Sequence, residues 1–259
     1  DNRIQGQAQL DNELSGRLKL DLPKPGQLQP GIAGNLKGQI LLGGTLEQPD
    51  ADIQLNGRGL VFEGQRMREL KLEARLEQGR SGKLSLLARG LASGEEMLGQ
   101  LQLNAAGSLE KHQLDASLTG PLANAGLKLS GSLQEENLHW LGQLQELKLK
   151  VENQDWQLER AMEVDYLHER HARLGAHCLV SSHGRLCADD RQQLLPQLQL
   201  DYRLQQLVLA SLQPWLPPGL GIDGRLNGQL QVHEDKNGLK GRVMLDAGQG
   251  ALLLEDEGQ

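Results

Sequence analysis

The chain has 259 residues, a formal net charge of −7 and only 2% aromatic residues. An acidic balance with no Lys/Arg-rich run and almost no stacking rings argues against nucleic-acid binding, and the same shortage of Trp and Tyr argues against a carbohydrate-binding β-domain. No stretch approaches the ~18 apolar residues of a transmembrane helix.

The start, Asp1-Asn2-Arg3, has neither the charged nor the apolar region of a signal peptide. The chain opens and closes in mid-pattern, so it is expected to be a fragment of something longer. From residue 6 to about 151, apolar residues recur at every second position, the period of strands with one apolar and one polar face. The run begins with Leu18, Leu20 and Leu22, then Ile40 and Leu42, Ile53 and Leu55, Leu70 and Leu72, and Leu84 and Leu86. It continues through Leu101 and Leu103, Leu114 and Leu118, Leu127 and Leu129, and Leu147, Leu149 and Val151. Gln, Lys, Glu, Asp and Arg fill the positions between, so the second face is wet. Leu is a weaker strand former than Val or Ile, but turn signals interrupt the rhythm about every ten residues and support strands. These signals include Pro23-Lys24-Pro25-Gly26, Gly43-Gly44, Asn56-Gly57, Gly79-Arg80-Ser81-Gly82, Ser93-Gly94 and Gly120-Pro121. Such short connections predict an antiparallel meander. A loose repeat of Gly, Leu, turn and alternating strand predicts an elongated array.

Residues 152–191 differ, carrying both Cys and four of the seven His. Cys178 and Cys187 fit one hairpin turning at Ser181-Ser182-His183-Gly184. In an oxidising compartment they would form a disulfide worth about 2 to 3 kcal/mol; two free thiols or a metal site with His168, His171, His177 and His183 are the alternatives. His168-Glu169-Arg170-His171 would need a helix to aim both imidazoles one way, and its spacing matches no strong zinc signature, so no metal is expected. Residues 207–216, ended by Pro217-Pro218-Gly219, are the best helix candidate. Alternation governs Leu198, Leu200 and Leu204 before this segment and resumes after it through Leu226, Leu230, Val232, Val243 and Leu245.

Roughly 16 to 20 strands follow from this spacing. A flat sheet of that size with a bare apolar face is unstable in water. It either closes as a sandwich filled by side chains or bends into a half-pipe whose interior holds lipid, and a Leu lining with few rings favours the half-pipe. No nucleophile elbow, dinucleotide fingerprint or phosphate loop is present. Glu95-Glu96 and Asp189-Asp190 read as solvated faces, and Trp140, Trp156 and Trp215 as core plugs. Neither catalysis nor a cofactor is expected.

Several stretches, taken in order, resemble the TamB family within the wider AsmA-like group. Gly44-Thr45-Leu46-Glu47-Gln48-Pro49-Asp50-Ala51-Asp52-Ile53-Gln54-Leu55 is similar to the family's recurring Gly-x-Leu-x-x-Pro-x-Ala repeat running into a strand. Gly107-Ser108-Leu109-Glu110-Lys111-His112-Gln113-Leu114 is similar to another repeat. Cys178 and Cys187, with Trp156 upstream, resemble the family's central Cys pair, and Leu212 to Leu226 resembles a short helix feeding a strand. The resemblance implies an all-β fold: an elongated antiparallel sheet, one continuous segment over 1–259, folded over into a half-pipe (a β-taco) with a continuous hydrophobic groove. It implies a periplasmic bridge carrying phospholipid between inner and outer membrane, with an outer-membrane BamA-family (TamA-like) partner and an inner-membrane anchor outside this chain, which would be a middle slice. The groove lining is then the alternating Leu, Ile and Val set. A chaperone-like scaffold offering strand edges to outer-membrane proteins is the alternative.

Overall fold

Alternating Leu with Gln, Lys or Glu cannot form one helical stripe, but as a strand it sorts apolar and polar side chains to opposite faces. The computed structural model describes residues 1–11, 13–152, 154–236 and 238–254. Among these residues the fold is all-β and antiparallel, with twenty strands and two short 3-10 segments. The helix expected at 207–216 is one of the latter, Leu209–Trp215. The chain divides into two compact units, Asp1–Ser132 and Leu133–Gln259.

The first unit is a nine-strand meander in which each strand pairs with its sequence neighbours. The strands are β1 (Arg3–Leu10), β2 (Leu14–Leu22), β3 (Ile32–Gly44), β4 (Pro49–Phe62), β5 (Gln65–Glu77), β6 (Ser81–Ser93), β7 (Glu96–Ser108), β8 (His112–Thr119) and β9 (Asn124–Gln134). One expected turn is corrected. Asn56-Gly57 lies inside β4, where Gly57 is buried and pairs with Leu36 on one side and Leu70 on the other. Glycine is needed there for space, because a Cβ would stand 2.5 Å from Cδ1 of Leu60.

Leu60 reaches back over Gly57 beside a register shift in the β3–β4 ladder, and the β6–β7 ladder carries shifts as well. The shifts fall between Ala33 and Asn35 in β3 and between Arg89 and Leu91 in β6. The intervening Gly34 and Gly90, with Gly59 and Gly99 on the strands between and beside them, all have positive φ. At Gly34 and Gly99 the conformation is forced twice over: φ is +106 and +103, and a Cβ would run into the backbone of Gly59 and of Thr119-Gly120 respectively. Bulges bend strands and raise local twist, so their alignment makes a crease across the meander.

The second unit comprises β10 (His139–Val151), β11 (Gln154–Leu158), β12 (Met162–Leu167), β13 (His171–Leu174), β14 (His177–Ser181), β15 (Gly184–Ala188), β16 (Gln192–Leu195), β17 (Gln199–Val208), β18 (Leu220–Asp235), β19 (Gly238–Asp246) and β20 (Gly250–Leu254). It is also a meander, but its middle rows are broken in half. β11 and β12 lie end to end along β10; β13 and β14 follow as the next row, and β16 and β15 as the row after that. The breaks at 159–161, 175–176 and 189–191 fall side by side. Buried Gln192 bridges this second crease: its Nε2 donates to Asp190 O at 2.7 Å, and its Oε1 accepts from Asp201 N at 2.6 Å. Beyond it, β17 pairs with β18, and β18 pairs with β19 along one half and β20 along the other.

The Cys hairpin is β14–β15. Cys178 and Cys187 are directly opposed, with Cα atoms 4.1 Å apart, and are joined as a disulfide.

Candidate functional site

Strand register turns the Leu rhythm of the first unit into continuous rows. One row runs Leu18, Ile40, Ile53, Ala74, Leu84, Ala105, Leu114, Leu129 from β2 to β9. A second runs Leu20, Gly38, Leu55, Leu72, Leu86, Leu103, Ala116, Leu127, and a third Leu22, Leu36, Gly57, Leu70, Ala88, Leu101, Leu118, Ala125. No polar side chain interrupts any of the three. Leu42 belongs to a fourth row that continues through Ala51 and Leu76 and then decays into Gly82, Gly107, His112 and Gly131. Eight strands at ~4.8 Å spacing make each row ~34 Å long, and the three rows span ~13 Å along the strands.

These rows are not a filled core. Nearly all their members are half-buried; among the described residues of this unit the buried apolar side chains are Leu22, Pro25, Ala88 and Ala92. The chain exposes 17395 Å² in all. A globular protein of the same mass exposes about 11,000 Å², and even two separate globules of half that mass about 13,500 Å². The excess fits strands that bury one another's edges but leave their apolar faces uncovered.

The opposite face of the first unit is a mixed-charge lattice. Arg75 pairs with Asp52 at 3.2 Å and Lys37 with Asp21 at 3.2 Å. Arg89 donates to Glu69 at 3.0 Å and to Gln100 at 3.0 Å. The hydrogen bond from Arg89, aided by Lys71, holds the Glu69 carboxyl below the usual carboxylate range. Such exposed pairs contribute little stability but keep this face wetted.

In the second unit the rows are shorter. Leu158, Leu179, Leu186, Leu204, Gly228 and Leu245 align from β11 to β19. Leu230 pairs with Val243, Leu200 with Val232, and Leu149 with Trp156. Leu147 lies two residues before Leu149 on β10, Val151 opposes Gln154 at the end of that strand, and Leu198 immediately precedes β17. Leu226 opposes Leu207, which is buried and which the alternation did not single out because a register shift separates it from Leu204. Val243 and Leu245 are 61% and 65% exposed. The segment Leu209–Trp215 packs at one end of these rows, where buried Gln154 donates to Ser211 O at 3.0 Å.

The alternative His cluster of His168, His171, His177 and His183 does not assemble. Residues 168–170 form a turn with Glu169 at φ 57; His168 contacts Tyr166, His177 contacts Gly175 O and Tyr202, and His183 contacts Ser182. His171 instead meets His139 through Asp165: both Nε2 atoms lie 2.8 Å from Asp165 Oδ1. Sequence reasoning missed His139 and Asp165 as partners, since they are brought together only by register. Burial pushes the Asp165 carboxyl up, but the hydrogen bonds and charges of the two imidazoles outweigh it and hold it below its ordinary value.

An uncovered apolar face built from Leu rows fits the family resemblance, and comparison with known proteins decides the matter. The family model described as "TamB, N-terminal domain" matches residues 1–258. The chain belongs to the TamB family. It is 23% identical over 191 residues to the translocation and assembly module subunit TamB of Haemophilus influenzae, a match covering 72% of this chain and 15% of that protein. No solved structure matches. Among the described residues, no helix is long and apolar enough to cross a membrane.

Proposed function

We propose that the apolar face of this TamB-family chain is a lipid path. Phospholipid acyl chains lie along the Leu rows while head groups remain in water, and the chain serves as a periplasmic bridge segment between the inner and outer membranes. The single observation that carries this reading is that the three rows cross eight strands without a polar interruption and remain half-exposed. Their ~34 Å length exceeds the ~15 Å that one leaflet's acyl chains occupy in a bilayer core ~30 Å thick. A bound lipid therefore has room to move along the row rather than sit in one pocket. Burial of each CH₂ stabilises the lipid by about 0.8 kcal/mol. Because Leu, Ile and Ala, with a single Gly in each of two rows, succeed one another without a polar group, successive positions offer similar stabilisation and none becomes a trap. The mechanism needs no catalytic group and no cofactor. Loading would come from the inner-membrane side, where the family's anchor lies, and delivery through an outer-membrane BamA-family partner.

Native mass spectrometry of the chain purified from an envelope extract tests this directly: co-purifying phospholipid is expected, and a lipid-free protein would remove the proposal's basis. Photo-crosslinkers at Leu86 and Leu127 separate the path from a scaffold. Lipid adducts support the path; polypeptide adducts support the scaffold. The scaffold reading is favoured by one observation, that β1 is exposed along all eight residues and pairs with β2 alone among the pairings of this unit, as an edge that could accept a partner strand.

A further inference from the structure

We infer that His139, Asp165 and His171 form a binding site for a first-row transition-metal dication of the zinc class. The three residues come from three adjacent strands. His139 opens β10, Asp165 lies on β12 and His171 opens β13; in the ladder Leu167 stands between the two histidines, opposite each of them. Asp165 lies two residues before Leu167, so its carboxylate reaches both imidazoles diagonally on one face. That face is opposite the one carrying Met162 and Val164, so an ion here would sit on the back of the sheet rather than on its apolar side.

Geometry and chemistry agree on the class of ligand. The ligand nitrogens and oxygen lie within 4.8 Å of one another, and both nitrogens are the Nε2 atoms, converging on one carboxylate oxygen at 2.8 Å. Bonds of 2.0–2.1 Å in a tetrahedral centre separate ligand atoms by about 3.3 Å, so each imidazole needs to retreat only about half an ångström to admit an ion. The side chains are 16% to 23% exposed, sheltered from bulk solvent but reachable by an ion. Two imidazoles and one carboxylate suit zinc, cobalt or nickel rather than magnesium or calcium, which prefer oxygen ligands. On binding, each neutral imidazole carries its proton on Nδ1 and offers the Nε2 lone pair. The carboxylate and the dication then leave the site with a single net positive charge, and water takes the fourth position. Bound metal would tie β10, β12 and β13 together beside the 168–170 turn.

The test is titration of the untagged, metal-stripped chain with Co²⁺ alone, followed by visible absorption. The expected result is a tetrahedral d–d band saturating at one ion per chain and bleached by Zn²⁺. His139→Gln, Asp165→Asn and His171→Gln should each weaken binding by at least tenfold, while His233→Gln binds as wild type. Because a strand variant can misfold, long-range ¹H–¹⁵N spectra of the wild-type imidazoles during Zn²⁺ titration give an independent readout. Shifts confined to the His139 and His171 rings support the site. Absence of a stoichiometric band, a band that survives in all three variants, or zinc shifts at other rings instead would overturn it.

Discussion

Leu55 and Gly38 oppose each other across β3 and β4, and Cδ2 of Leu55 occupies the space that a Cβ on Gly38 would take. The second apolar row is therefore continuous in shape although it contains a glycine: the neighbouring Leu leans over the gap. Gly57 and Leu60 repeat the device within one strand, and Gly228 with Leu245 repeats it in the second unit.

Gly38→Val should accordingly displace Leu55 and press on the carbonyl of Gln54, 2.7 Å from the added Cβ. Overpacking of this kind costs about 1–3 kcal/mol. Urea unfolding should show a lower midpoint with an unchanged slope. Gly126→Ala is the matched control, because nothing lies within 4 Å of a Cβ there; that substitution should be neutral or stabilise by about 0.4–1 kcal/mol through the unfolded chain.

Leu103 lies between Leu86 and Ala116 inside the second row. A carboxylate in a lipid path exposes acyl chains to a charge they cannot solvate. Leu103→Asp, and Leu129→Arg at the end of the first row, should abolish phospholipid movement between membranes while the protein accumulates at its normal level. Gln102→Asp, one residue away on the wet face, should transport normally. Labelled-lipid transfer measured with immunoblotting of the same cells distinguishes the three. Normal transfer in Leu103→Asp cells would count against the path.

The Cys178–Cys187 bond closes a short loop in the hairpin that carries Leu179 and Leu186 into their row. Cys178→Ser with Cys187→Ser should cost about 2–3 kcal/mol, read as a lower urea midpoint, and reductant should shift the wild type by the same amount while leaving the double variant unchanged.

Tyr202 accounts for an alkaline limb. Burial raises its hydroxyl above the ordinary value of 10.0, and the hydroxyl lies 3.0 Å from His177 Nε2. A raised value means the unfolded chain releases this proton first as pH climbs. The stability it contributes is therefore fully present below pH ~10 and lost as pH rises through the higher folded value. Tyr202→Phe should flatten that limb in unfolding curves taken across it, at the expense of the hydrogen bond at neutral pH.

Sequence periodicity read the strands and the apolar face well, because period two depends only on neighbours along the chain. Leu18 and Ile53 were assignable to one face before any register was known. What stayed hidden was set across strands. Asn56-Gly57 read as a turn because its dipeptide chemistry is indistinguishable from a hairpin's, and only the Leu60 side chain above Gly57 explains the glycine. The creases were invisible for the same reason: Gly34 and Gly90 are separated by many residues and become one feature only when β3 to β6 align. His139 and Asp165 are 26 residues apart, and no spacing rule links them; the ladder between β10 and β12 does.

The rows also make the hairpin a unit of reach. Because each strand from β2 to β9 supplies one residue to each row, an added or deleted pair of strands joins one apolar position to the next across the seam and changes the span by about 9.6 Å. If the proposed lipid path holds, the distance between two membranes is matched by counting hairpins, as a ladder is lengthened by rungs, with no redesign of the apolar surface.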